Sequence, residues 1–154
     1  MKRPNTQFAT LHPERVISLV YIDAALDLAA GEVVMKDPVI SLPQPQPGSP
    51  YAQVLAWSNL YTPDFSKLKS PALAFYTTQV PIPIPRNATD DLRRQIDEFS
   101  RTKWIPLVFH MAEKFRSEMN GQTVVMENVS HYMFRDREDD VVRGMQNFYA
   151  SIKR

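Results

Sequence analysis

RVISLVYI, residues 15–22, is a short run of β-branched, aliphatic and aromatic residues with little alternation between apolar and polar. That pattern constrains the fold more than any other feature of the chain. A strand with one wet face alternates, whereas a continuous apolar run suits a strand covered on both faces, as in parallel sheets. Two further runs read as strands. PALAFYTT at 71–78 opens on a proline and stops before the breaker-rich VPIPIPRN, and QTVVMENV at 122–129 follows Gly121.

The sequence between the second and third runs has a different period. Leu92, Ile96, Phe99, Trp104, Leu107, Met111, Phe115 and Met119 recur every three to five residues, the spacing of one helical face. Thr89, Asp90 and Asp91 supply a cap and first-turn acids, and Gly121 supplies the stop. Pro106 removes a backbone donor in the middle, so a kink or two abutting helices are expected. A last helix is expected to start near Asp136 or Arg137, with Asp136 capping the amides ahead of it and Glu138 to Asp140 at the positive end of the helix dipole. Its buried face is expected to be Val141, Met145, Phe148 or Tyr149, and Ile152. Strand, helix, strand, helix is an α/β pattern.

With 154 residues and 44% hydrophobic content, one domain with a packed core is expected. Eighteen basic side chains against 17 acidic ones give a formal charge of +1, too little for a broad field that would hold nucleic acid or an anionic membrane. The absence of cysteine rules out thiol catalysis, disulfides and cysteine metal sites. The first residues lack an apolar stretch long enough for a signal peptide, and no later segment approaches the roughly 20 apolar residues of a membrane span. A soluble, cytoplasmic protein is the expectation.

Residues 24–69 stand apart. LPQPQPGSP at 42–50 is too proline-rich for a regular element, and Tyr51, Leu55, Trp57 and Tyr61 follow it. The segment is a linker or a cap-like insertion over an apolar pocket, and in the second case those four side chains are candidates to bind substrate.

His131 falls just past the third run, in the loop before the last helix. α/β enzymes place reactive groups there, because strand ends are rigid and the loops beyond them face a crevice. A histidine in that place either hydrogen-bonds its own loop or acts as a base. A base needs a carboxylate on its other ring nitrogen to fix tautomer and orientation, and Asp23, at the end of the first run, is positioned to be that acid.

LHPERVISLVYIDAA at 11–25, SPALAFYTT at 70–78 and VVMENVSHYMF at 124–134 together resemble the last third of the α/β-hydrolase family, and the likeness covers nearly the whole chain. The resemblance implies a partial α/β-hydrolase fold within a single domain: strands six to eight in parallel, flanking helices, and a cap-like insertion at about 24–69. In that family the sixth strand follows a helix ending in a histidine, proline, acid, arginine stretch. HPER at 12–15 fits, which makes His12 a structural helix-end residue. The family's catalytic histidine sits in a loop similar to N-V-S-H-Y, which implies His131 as general base.

Two features depart from the family pattern. Its acid usually follows the seventh strand in a turn resembling G-x-x-D, yet here TTQVPIPIPRN carries no acid before Asp90. Some relatives place the acid after the sixth strand, where Asp23 stands; Asp90 and Asp91 are the alternatives, and helix capping accounts for both. The family's nucleophile lies in G-x-S-x-G on the fifth strand. None of the four glycines, Gly31, Gly48, Gly121 and Gly144, has serine two places on.

The expectation is therefore the carboxyl-terminal part of a serine-dependent α/β-hydrolase for an ester-like or related small apolar substrate. It carries base and acid without the nucleophile, and is inactive alone. A non-enzymatic binding or remnant domain is the alternative. Expected partners are a missing amino-terminal half, or a second copy through the strand at 15–22. No cofactor is expected: His12, His110 and His131 lack metal-ligand spacing, and no glycine-rich loop is present for phosphate or dinucleotide.

Overall fold

In a computed structural model, which describes residues 4–23, 37–39, 48–49, 67–80, 84–119 and 121–152, each apolar run contains a strand shorter than the run itself. These are β1 (Leu19–Ile22), β2 (Ala72–Thr77) and β3 (Gln122–Met126). The described residues form a three-stranded sheet in the order β1-β2-β3, parallel throughout, with Ile22 opposite Phe75 and Thr77 opposite Met126. The edge expected over 15–22 narrows to four residues. Pro13 opens a 3-10 turn over Pro13–Arg15, and Ile17 is 83% exposed two residues before β1 begins.

All six residues of β2 are buried, as a central parallel strand with both faces covered requires. Alternation sends Ala72, Ala74 and Tyr76 to one face and Leu73 and Phe75 to the other. On the first face lie α1 (Pro4–Leu11) and the long helical segment between β2 and β3. That segment is α2 (Asp90–Phe99), a π-helical stretch (Ser100–Trp104) and α3 (Ile105–Met119).

Thr89 caps α2 by accepting the Leu92 N–H at 3.2 Å. The expected interruption at Pro106 takes the form of the wider turn rather than a break. The Ile105 N–H reaches back five residues to the Ser100 carbonyl, and Pro106 follows with no N–H to place. Leu107, Val108, Met111, Ala112, Phe115 and Met119 of α3 are buried against the sheet. The Phe115 ring stands edge-on to those of Tyr21, at 5.7 Å, and Tyr76, at 6.4 Å. Both tyrosines stay satisfied: Tyr21 OH shares a 2.7 Å hydrogen bond with Thr6 Oγ1, and Tyr76 OH donates to the Met111 carbonyl.

The opposite face is covered by α4 (Met133–Asp136) and α5 (Glu138–Ser151), through Met133, Val141 and Phe148. Phe148 is the inward aromatic and Tyr149 is 52% exposed. At Gly144 α5 comes so close to the sheet that a Cβ would lie 2.8 Å from the Phe75 ring. The described residues thus make an α/β/α sandwich, with the turns after β1 and β3 at the same, carboxyl end of the sheet. Among them, no helix is long and apolar enough to cross a membrane.

Candidate active site

Asp23 is the first residue past β1. Its N–H still donates to the Phe75 carbonyl at 2.9 Å, which ties its backbone to β2. Its φ of +47° then turns the chain sharply out of the sheet, a conformation aspartate tolerates better than most residues. The side chain is only 10% exposed.

His131 is delivered from the other side of β2. Past β3 the chain turns through Asn128, also left-handed at φ +55°, and folds back over the end of the central strand. Two bonds hold it there. The Thr78 N–H donates to the Met126 carbonyl at 3.2 Å, and the buried Thr77 hydroxyl donates to the Val129 carbonyl while accepting the Gln79 N–H at 3.1 Å. His131 then meets Asp23, Nδ1 hydrogen-bonding to Oδ2. In the tautomer whose Nδ1–H donates to the carboxylate, Nε2 is left as an acceptor. The imidazole is 57% exposed, and among the described residues Nε2 has no hydrogen-bond partner.

The turn around His131 carries a second network. Asp136 Oδ2 accepts both the Ser130 N–H, at 3.1 Å, and the Ser130 hydroxyl, and Ser130 Oγ accepts the Tyr132 N–H at 3.1 Å. The Ser130 hydroxyl, with its backbone N–H and Arg135 adding to it against the cost of burial, holds the Asp136 carboxyl below the usual carboxylate range. This corrects the expectation that Asp136 caps the last helix. It belongs to the preceding turn, α4, and points back to two donors in the loop, while α5 starts after Arg137 without a side-chain cap. Tyr132 lies edge-on to His131 at 5.7 Å and is 54% exposed.

Of the residues singled out from sequence, the structure brings Asp23 and His131 together. Asp90 and Asp91 sit in the first turn of α2, where Asp91 accepts from Arg94 and Gln95. Tyr51, Leu55, Trp57 and Tyr61 lie outside the described residues. His12 follows α1 with its ring 5.0 Å from that of Phe8, and His110 lies on the exposed side of α3. No group of three or more potential ligands that could hold a metal ion occurs among the described residues. A small open pocket beside the Lys103–Asp37 ion pair, lined also by Gln95, Glu98 and Thr102, shares no residue with the Asp23–His131 pair.

Thr77, Ser130 and Asp136 were not identified as site residues from the sequence. Thr77 reads there as an ordinary strand end, and nothing in a linear sequence shows Asp136 pointing backwards. A scan of protein-family models, a search of curated proteins and a search of solved structures each found no match to this chain.

Proposed function

We propose that this chain is the carboxyl-terminal, acid-and-base-bearing part of a serine-dependent α/β-hydrolase that acts on an ester-like or related small apolar substrate. The observation that carries the reading is a largely covered Asp23 carboxylate on Nδ1 of an exposed His131, both at the carboxyl end of a parallel sheet. In such a site His131 Nε2 takes the proton of an attacking serine hydroxyl and later returns it to the leaving group. Asp23 fixes the tautomer and stabilises the imidazolium that forms between those steps.

The serine is not among the 154 residues as a G-x-S-x-G motif. β1 is at the edge of the described sheet, so a fourth parallel strand carrying that motif has a place to pair. Ile17, 83% exposed two residues before β1, adds apolar surface there. In the absence of such a strand, the same surface favours association with a second copy. The missing motif also favours a second reading, a non-enzymatic binding or remnant domain in which the pair persists without turnover.

The two readings separate on one construction. Joined to a segment that carries G-x-S-x-G, for instance one encoded in frame before codon 1, the chain should hydrolyse short-chain aryl esters. Asp23→Asn and His131→Ala should each reduce kcat by about 10³-fold or more. Full activity in either variant would remove the pair from the chemistry, and an inert joined protein that still binds apolar ligands would favour the second reading.

A further inference from the structure

We propose that Asp136 is a positioning residue that, through Ser130, holds His131 with Nδ1 on Asp23. The inference rests on reading Asp23 and His131 as the acid–base pair, and it concerns how a 57% exposed imidazole is kept in one orientation.

The two partners belong to strands on opposite sides of β2, so the loop after β3 spans about two interstrand spacings, roughly 10 Å, to bring them together. An exposed loop over that span does not fix a side chain unless its backbone is fixed first. Both neighbours of His131 are fixed, and through one group. The preceding residue gives Asp136 its N–H and its hydroxyl, and the following residue, Tyr132, gives its N–H to that same hydroxyl oxygen. Asp136 closes the ring with its own backbone, its N–H donating to the Tyr132 carbonyl at 3.1 Å. Its side chain accepts from Ser130 and not from the imidazole, so it acts on His131 only through the turn.

The two arginines that flank Asp136 are otherwise engaged. Arg135 lies over the Tyr132 ring at 5.1 Å with its Nε 3.7 Å from Asp136 Oδ1, and Arg137 donates to Asp140 at 2.8 Å. Asp23 is left as the carboxylate that reads the ring.

The test is the tautomer of His131 in the ¹⁵N-labelled chain, seen by NMR as a protected Nδ1–H resonance with an unprotonated Nε2 above the imidazole titration. Asp23→Ala, which removes the acceptor, should abolish this signature. Asp136→Ala should cut the Nδ1–H population at least twofold, with amide resonances away from 128–137 unmoved. Asp136→Asn, whose amide oxygen can accept both Ser130 donors, should restore it. Should Asp136→Ala fail to fold, Ser130→Ala decides, since it removes only the hydroxyl at the centre of the ring, and a partial loss is expected.

The wild-type signature in full in Asp136→Ala, or in Ser130→Ala where that variant decides, would overturn the positioning role and leave the pair intact. Equal loss in Asp136→Asn and Asp136→Ala would overturn it too. Persistence in Asp23→Ala would overturn both this inference and the proposed acid–base pair.

Discussion

β2 and the two strands that flank it have different tasks. β2 is buried at every position, contributes to both cores, and carries no group with a chemical role beyond the Thr77 hydroxyl that seats the loop. β1 alternates buried and half-buried residues and β3 is buried only at Met126, yet the turns after these two strands bear Asp23 and His131. Burial is concentrated in the centre and the proposed acid–base pair lies at the flanks, so substitutions should separate the two.

The largest expected effect is at the centre. Phe75 is fully buried, and Phe75→Ala should cost about 3–5 kcal/mol in denaturant unfolding. That is a large part of the roughly 5–15 kcal/mol of a typical domain, and a loss below about 1 kcal/mol would break the assignment of β2 as the core strand.

Gly144→Ala comes next. The added methyl meets the Phe75 ring, which is itself fully buried. Overpacking of about 1–3 kcal/mol should exceed the roughly 0.5–1 kcal/mol that alanine gains over glycine within a helix. Net stabilisation would mean that α5 stands further from β2 than the structure has it.

At the flanks the effects are local. Asp136 has a depressed carboxyl pKa in the folded chain, first because the Ser130 hydroxyl donates to it. The stabilisation it gives to the turn is present above its unfolded value and is lost as pH falls through the folded one. In an acid titration the Ser130 amide resonance should move with a midpoint below the ordinary aspartate range, while amides of β2 stay in place. A midpoint at or above that range would show that the ring around His131 is not made.

The smallest effect on stability is expected for Ile17→Ser. With 83% of the residue exposed, the change should stay within about 0.5 kcal/mol, yet it should weaken self-association measured by sedimentation. Unchanged association, or a monomer without the substitution, would contradict association through this edge.

The three strands and the helical segment between the last two were legible in the sequence because periodicity and breakers carry them. The apolar runs marked each strand, and Thr89 marked a helix start that the structure repeats through its bond to Leu92. Strand length was not legible. RVISLVYI looks uniform, but the turn opened by Pro13 keeps its first residues out of the sheet, and only position in the sheet separates an edge from a centre.

Asp23 and His131 could be paired in advance because each follows an apolar run, and parallel strands bring such positions to one end. The Asp136–Ser130 ring could not. A carboxylate before a helix has two sets of donors within reach, ahead and behind, and the choice depends on the three-dimensional path of 127–132.

The central claim is the proposal that Asp23 and His131 are an acid–base pair with no G-x-S-x-G serine to activate. Its most direct test is the rate of short-chain aryl ester hydrolysis by the purified chain beside its His131→Ala variant. Without a G-x-S-x-G serine for His131 to activate, the two rates should be equal. A rate for the unaltered chain tenfold above the variant would contradict the claim, and would mean that a serine among these residues already serves His131.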